Sequence, residues 1–162
     1  MSALITAYFG VLNKLHSAGA RNFLLISVPP LHRAPECADY PASYRTRMAA
    51  AVTSYNTALV EEAAKFRSKH PTARVLLYDA YATANSMLDN PEKFGLSSAV
   101  KDTFCAKYTV YKPGAEAPQE TFHESCEVKV KRYFWLNKAH PTSTVHKVWA
   151  QGIRELLEEP RK

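Results

Sequence analysis

Two short apolar runs, each lying between segments of helical periodicity, constrain the fold of this 162-residue chain more than any other feature. The first, Asn22–Val28, is closed by Pro29 and Pro30, and the second is Arg74–Asp79. Short continuous apolar runs bounded by turn-forming residues are typical of buried strands in parallel sheets. Because helical segments separate the two runs, the order predicts an α/β fold with about two parallel strands.

Helical periodicity predicts four helices around these strands. The first has apolar side chains on one face at steps of three and four, namely Ile5, Tyr8, Leu12 and Leu15, and we expect it to stop at Gly19. The second and third are expected over roughly 43–69 and 80–88, and the last is opened by His140-Pro141-Thr142. Residues 92–132 show no clear period and are expected to form an extended loop region.

The composition fits one ordinary globular domain. Hydrophobic residues make up 46% of the chain and charged residues 22%, which excludes global disorder and a collagen-like chain. No apolar run approaches the ~20 residues of a membrane-spanning helix. The first twenty residues are apolar, but no basic residue precedes the apolar run, and Asn13, Lys14 and His16 interrupt it. We therefore expect an amphipathic helix there rather than a signal peptide.

The charge balance is moderately basic. Lysine and arginine total 21 and aspartate and glutamate 15, which gives a net charge of +6 and could favour anionic partners. The densest basic group is Lys129, Lys131, Arg132 and Lys138, and no arginine-rich arm, zinc-finger spacing or RNA-binding motif accompanies it. We therefore expect a basic surface without a nucleic-acid partner. A nucleic-acid binder is a weaker alternative, and a steep salt dependence of DNA or RNA binding would be needed to support it.

The three cysteines, Cys37, Cys105 and Cys126, form no C-x-x-C pair, which argues against a zinc or thioredoxin-like site. The wider set that could hold zinc has no recognised ligand spacing either: His123, Cys126, His140 and His146. Cys105 and Cys126 flank a segment rich in proline, glutamate and lysine that is typical of an exposed loop. Spacing alone leaves open both a disulfide between them, as in a secreted protein, and three free thiols.

The most informative stretch lies near the carboxyl end. It reads Phe134-Trp135-Leu136-Asn137-Lys138-Ala139-His140-Pro141-Thr142 and is followed by His146. This stretch resembles the last motif of the SGNH hydrolases, also called GDSL-type esterases or lipases, in which an acidic residue stands three positions before a histidine within F-W-D-x-x-H-P-T. The segments around both predicted strands, 19–31 and 78–95, also resemble that family, as does Cys105. The Leu-Asn variant of the motif is most similar to fungal acetylesterase-type members.

The resemblance implies a fold and an activity. The fold would be the flavodoxin-like, three-layer α/β/α fold of this family, truncated, with residues 1–162 forming a single partial domain that corresponds to its carboxyl-terminal half. The activity would be that of a carboxylic-ester hydrolase of the acetylesterase or lipase type. Its substrates would be small esters, for example acetyl groups on a carbohydrate or a metabolite, and the family implies no metal or organic cofactor. The family's fungal members look secreted, but this chain shows no signal peptide, so its localisation stays open.

The resemblance also assigns roles to two residues. His140 holds the position of the histidine that acts as general base for a serine nucleophile, a role that suits a side chain titrating near neutral pH. Asn137 stands where most members carry aspartate. Its amide carbonyl can orient the imidazole but cannot offset the charge of an imidazolium, although papain-like enzymes work with a Cys-His-Asn set. His146 often has a counterpart in the family, and we expect a structural role for it.

Other parts of the family's site have no match in the 162 residues. The sequence contains no Gly-Asp-Ser nucleophile motif and no Gly-x-Asn-Asp motif. Ser27, Ser97 and Ser98 do not stand in a matching context, so we expect every serine to be structural. The chain is therefore predicted to be inactive by itself. The alternative is a non-catalytic binding or regulatory protein built on the same fold.

Two further expectations combine the residues with the resemblance. Cys105 and Cys126 are expected to pair under oxidising conditions, which leaves Cys37 as a free thiol. The strand Phe23–Val28 is expected to have one unpaired edge, because in the family fold another strand lies beside it. Since an exposed apolar edge tends to pair with another chain, self-association is expected.

Overall fold

The structure, a computed structural model, describes residues 3–109 and 117–158. In chain order the helices and strands within these ranges are α1 (Ala3–Ser17), β1 (Asn22–Ile26), α2 (Ala42–Lys69), β2 (Arg74–Tyr78), α3 (Ala80–Asp89) and α4 (Ser143–Glu158). Short 3₁₀ helices occupy much of the rest, at Leu31–Arg33, Pro35–Asp39, Pro91–Phe94, Ser98–Val100, Ala106–Tyr108 and Val130–Arg132. The predicted helices and strands are confirmed, with ends displaced by one or two residues, and the predicted loop regions contain 3₁₀ turns.

The first helix ends where the sequence predicts. Gly19 adopts a left-handed backbone with φ of 104°. Its N–H donates to the His16 carbonyl, and the Ala20 N–H donates to the Leu15 carbonyl, which is the hydrogen-bond pattern of a Schellman stop. The predicted buried face is wrong at Leu15, whose side chain is 47% exposed. Leu15 follows Leu12 by three residues, short of a full turn, and so rotates to the rim of the buried face.

The two strands pair in parallel to form a two-stranded sheet, with Phe23 beside Val75 and Ile26 beside Tyr78. Parallel strands cannot be joined by a tight hairpin, and α2 supplies the long crossover that such a pair needs. The sheet topology therefore follows from the order strand, long helix, strand that the periodicity predicts.

Helices cover both faces of this sheet. α1 and α2 bury one face in a cluster of apolar side chains: Ile5, Phe9, Leu12, Phe23, Leu25, Leu59, Ala63, Phe66 and Val75. On the other face α4 lies so close to Tyr78 that a Cβ atom built on Gly152 would be 2.8 Å from the Tyr78 ring. The arrangement is a three-layer α/β/α domain with two strands, as expected for a truncated domain of this class. No helix in the described ranges is long and apolar enough to cross a membrane.

Among the described residues, one edge of β1 has no neighbouring strand. The Ser27 N–H donates to the Tyr78 carbonyl and the Arg74 N–H to the Arg21 carbonyl. The backbone N–H and C=O groups of the odd-numbered residues of β1 therefore point toward β2. The even-numbered residues 22, 24 and 26 turn their backbone groups to the outer edge, where the two-stranded sheet provides no neighbour. Beyond them the edge is closed, because the Asn56 side chain accepts from the Val28 N–H (2.8 Å) and donates to its carbonyl (2.9 Å).

The region between α3 and α4 has a small core of its own. Its buried members are Val100, Tyr108, Ala117, Cys126, Val130, Tyr133 and Leu136. Cys105 and Cys126 form a disulfide with their Cα atoms 5.8 Å apart. The Tyr108 hydroxyl donates to the Val128 carbonyl (2.6 Å). These contacts order a segment that the sequence shows only as a long loop.

Candidate active site

A tight turn before α4 brings Asn137 and His140 together. The Asn137 side-chain oxygen lies 3.0 Å from Nδ1 of His140. The same oxygen accepts the backbone N–H groups of Ala139 (3.0 Å) and His140 (2.9 Å). Three hydrogen bonds thus converge on one amide oxygen, and the i, i+3 spacing of the motif is sufficient to produce them.

This convergence fixes the protonation pattern of the imidazole ring. Backbone N–H groups only donate, so the Asn137 atom that they contact must be the carbonyl oxygen and not the amide nitrogen. That oxygen can only accept, so Nδ1 of His140 carries the proton when the ring is neutral. The lone pair is then on Nε2, which is the nitrogen able to take a proton from a nucleophile.

Buried residues on both sides anchor the turn. Trp135 and Pro141 form an antiparallel bridge, and the Leu136 N–H donates to the His140 carbonyl (2.8 Å). Thr142 is fully buried; its hydroxyl donates to the Tyr133 carbonyl (2.8 Å) and its N–H to the Phe134 carbonyl (2.8 Å). His140 itself is exposed, so a buried frame presents an accessible imidazole.

The turn lies on the side of the sheet where the strands end. The Glu36 N–H donates to the Lys138 carbonyl (2.9 Å), and the Lys138 ammonium pairs with the Asp39 carboxylate (2.5 Å). Glu36 and Asp39 belong to the 3₁₀ helix Pro35–Asp39 in the connection that leaves the carboxyl end of β1. Ligand sites of open α/β sheets lie outside this end of the strands.

The serines considered from sequence are engaged elsewhere. The buried Ser27 hydroxyl donates to the Asp79 carboxylate (3.1 Å) and accepts the Tyr81 N–H (3.0 Å), which joins the ends of β1 and β2. The Ser98 hydroxyl donates to the Glu92 carboxylate (3.0 Å). Ser97 is buried, and its N–H donates to the Arg132 carbonyl (2.9 Å). All three serines therefore make hydrogen bonds that stabilise the local structure.

His146 lies on the exposed side of α4 and contacts the edge of Trp149 with ring centroids 5.3 Å apart. The structure does not bring it into the hydrogen bonds of the Asn137–His140 turn. Among the described residues no group of three or more histidine, cysteine, aspartate or glutamate side chains is arranged to hold a metal ion.

The three cysteines are in different states. Cys105 and Cys126 are joined in the structure, whereas Cys37 is a free, buried cysteine. Burial raises the pKa of the Cys37 thiol, which makes the thiolate scarce.

The basic residues noted in the sequence are matched by carboxylates. Lys129 and Lys131 both pair with Glu120, and their hydrogen bonds, that from Lys131 foremost, lower the pKa of that carboxyl group. Arg132 pairs with Glu92 and Lys138 with Asp39. These ion pairs reduce the local excess of positive charge that an anionic partner would use.

Two residues that contact the turn could not be found from sequence. Gln119 hydrogen-bonds Ser143 and Thr144 at the start of α4, and Thr109 donates to the Leu136 carbonyl. Both lie in the aperiodic loop region and more than twenty positions away from their partners. No local spacing signals such contacts.

No protein-family model matches the chain. It is 29% identical to an acetylesterase of Thermothelomyces thermophilus over 157 residues, which is 96% of this chain and 44% of that protein. It is 21% identical to the GDSL esterase/lipase APG of Arabidopsis thaliana over 156 residues, 94% of this chain and 43% of that protein. The chain thus spans less than half the length of the curated relatives it matches, and the proteins it resembles are an acetylesterase and GDSL esterase/lipases.

Proposed function

We propose that this chain provides the general-base part of an SGNH/GDSL-type carboxylic-ester hydrolase site, with His140 as the base and Asn137 as the residue that orients it. The observation that carries the proposal is the 3.0 Å contact between Asn137 Oδ1 and His140 Nδ1. It leaves the Nε2 lone pair of an exposed ring available to accept a proton from a nucleophile.

The proposed reaction is acyl transfer. A serine hydroxyl attacks the ester carbonyl while Nε2 takes its proton. The imidazolium then returns this proton to the departing alcohol, and water releases the acid in a second cycle of the same kind. Asn137 holds the ring in the productive tautomer, but unlike a carboxylate it adds no negative charge to stabilise the imidazolium. The acetylesterase similarity supports small esters, such as acetylated carbohydrates or metabolites, as the substrate class.

The same reasoning leads us to propose that the 162 residues form a single partial domain without activity of its own. They contain no Gly-Asp-Ser sequence, and the hydroxyls of Ser27 and Ser98 are engaged by carboxylates. Loss of oxyanion donors alone typically costs ~10²–10³-fold each. A non-catalytic binding or regulatory role is the alternative, and it is favoured only if no complementing partner restores turnover.

The test is complementation. The purified chain alone should not hydrolyse a simple acetyl ester above background, and co-expression with the amino-terminal part of a relative that carries Gly-Asp-Ser should restore turnover. In that complex His140→Ala should lower turnover by about 10²–10⁴-fold, because the general base is lost. His146→Ala is the matched control, since it removes an exposed imidazole six positions away and should have little effect. Hydrolysis by the chain alone that survives His140→Ala would overturn the assignment.

We also propose that the open edge of β1 mediates self-association in the isolated chain. Within the described ranges no strand pairs with the backbone groups of residues 22, 24 and 26 at this edge, and the Ile26 side chain is 48% exposed. Strands with such an edge tend to pair with another chain.

A further inference from the structure

The disulfide-closed segment contacts the His140 turn on its amino-terminal side. The Thr109 hydroxyl donates to the Leu136 carbonyl (3.1 Å). The N–H of the same Leu136 donates to the His140 carbonyl (2.8 Å). Leu136 is buried in the same apolar core as Cys126. Leu136 therefore connects this core to the backbone of His140.

The same segment contacts the turn on its carboxyl-terminal side. The Gln119 side-chain oxygen accepts the Thr144 hydroxyl (2.9 Å), and its amide nitrogen donates to the Ser143 hydroxyl. The Gln119 carbonyl also accepts the Lys131 N–H (3.2 Å). Ser143 and Thr144 follow His140 by three and four residues, so this side chain contacts the start of α4, where the Thr144 hydroxyl also donates to the Lys131 carbonyl (3.0 Å).

The two contacts add to the buried frame that anchors the turn, because the turn itself is largely exposed. His140 and Lys138 are exposed and Asn137 is only partly buried. An exposed turn keeps a fixed geometry only where neighbouring elements restrain its ends. The two restraints come from the described parts of one segment, 105–109 and 117–126, whose ends Cys105 and Cys126 are covalently joined.

We propose that Thr109 and Gln119 are positioning residues that hold the His140 turn from both sides, on a scaffold closed by the Cys105–Cys126 disulfide. No hydrogen bond described in the structure joins either residue to the imidazole. They act on the backbone that flanks it, and through that backbone they maintain the Asn137–His140 hydrogen bond. The significance for catalysis rests on the proposed role of His140, whereas the positioning itself is a property of the turn.

The experiment measures the turn directly in the full chain. Nuclear magnetic resonance reports the ring tautomer of His140, and hydrogen exchange reports the amides of Ala139 and His140 that donate to Asn137. Thr109→Val and Gln119→Met remove the hydrogen bonds with little change in shape. Each should accelerate exchange of these two amides by about tenfold and reduce the population protonated at Nδ1. Gln119→Glu should restore much of the protection, because its carboxylate keeps an acceptor for the Thr144 hydroxyl and offers a second acceptor to the Ser143 hydroxyl once that hydroxyl reverses its direction.

Glu120→Gln is the matched control. It breaks the ion pairs to Lys129 and Lys131 in the same segment but contacts neither end of the turn, so it should leave the tautomer and both amides unchanged. Unchanged exchange and tautomer in Thr109→Val and Gln119→Met, or an equal change in Glu120→Gln, would overturn the proposal. If Gln119→Met fails to fold, the isosteric Thr109→Val decides alone. Since ester hydrolysis is not measured, failure here leaves the proposed function standing, and failure of complementation leaves this inference standing.

Discussion

The side-chain oxygen of Asn137 accepts a hydrogen bond from Nδ1 of His140 (3.0 Å) and, at the same time, the backbone N–H groups of Ala139 and His140. Rotation of the amide would place its NH₂ group against two donors, so the orientation of Asn137 is determined by the backbone. The imidazole tautomer is determined in turn. This geometry is what the orienting role proposed for Asn137 requires.

Replacing Asn137 tests which part of that task matters. Asn137→Asp preserves an acceptor for all three donors and adds a charge that stabilises the imidazolium, so turnover of the complemented enzyme should rise or stay the same. Asn137→Ala removes the acceptor, and turnover should fall together with the population protonated at Nδ1. The measurement is kcat for an acetyl ester in the complex. A fall with Asn137→Asp as large as that with Asn137→Ala would contradict this account.

The open edge of β1 predicts concentration-dependent association of the isolated chain. Ile26→Lys places a charge on that edge and should shift the chain toward monomer, as measured by light scattering over a range of concentrations. Val60→Lys is the control, because Val60 is similarly exposed (51%) but lies on α2. A wild-type chain that remains monomeric with strongly protected amides at 22–26 would show that the edge is not an association site.

The Cys105–Cys126 bond should be present in the oxidised protein and absent after reduction. Mass spectrometry of a non-reduced digest should show these two cysteines linked and Cys37 alkylated only after unfolding, because Cys37 is buried. Removing the bond with Cys105→Ser and Cys126→Ser should lower the free energy of unfolding by about 3 kcal/mol on the loop-entropy model. Three thiols that all react with an alkylating agent before reduction would contradict the pairing.

The histidine pair between α1 and α2 predicts a loss of stability on acidification. The ring centroids of His16 and His70 lie 4.0 Å apart. Nε2 of His16 is buried and has no hydrogen-bond partner in the part of the chain that the structure describes, whereas Nε2 of His70 contacts Asn13 (2.8 Å). Desolvation, with smaller contributions from His70 and Arg21, lowers the pKa of His16 from its ordinary value of 6.5. The unfolded chain therefore binds more protons between the folded pKa and 6.5.

Stability consequently rises with pH through that window and levels off above about pH 6.5. Denaturant unfolding at pH 5 and at pH 7.5 should give a lower free energy at pH 5. His16→Phe removes the titrating ring but keeps an aromatic ring near Phe66, and should reduce this difference. His32, whose pKa is also lowered, by burial first and by Arg33 and Arg45, titrates in the same direction and should account for part of the remainder. A difference unchanged by His16→Phe would refute the assignment.

Two glycines in helices predict opposite effects of the same substitution. Gly152→Ala forces a methyl group to within 2.8 Å of the Tyr78 ring, and the overpacking should outweigh the gain in helix propensity, with a net loss of about 1–2 kcal/mol. Gly10→Ala in α1 meets no atom within 4 Å and should stabilise by about 0.5–1 kcal/mol. Urea unfolding of both variants measures the difference in sign.

Contacts between residues close in the sequence were predictable, whereas contacts that depend on packing were not. The Asn137–His140 contact was predictable because three residues of separation in a turn bring a side-chain oxygen to the ring, and the motif names both partners. The exposure of Leu15 was not predictable, because its spacing fits the apolar face and only the packing against the sheet defines where that face ends. The partners of Gln119 lie 24 and 25 positions away, beyond the reach of any periodic signal.

The sequence by itself determined the order of helices and strands, the parallel pairing and the motif around His140, because each depends on residue spacing over a few turns or on the connection length between neighbours. Only the tertiary structure decided the ion pair of Asp39 with Lys138, the closure of the β1 edge by Asn56, and the double restraint of the His140 turn by Thr109 and Gln119. Those contacts join residues distant in the chain. Their free energy depends on which surfaces the packed core brings together, and that is a property of the whole fold rather than of any segment.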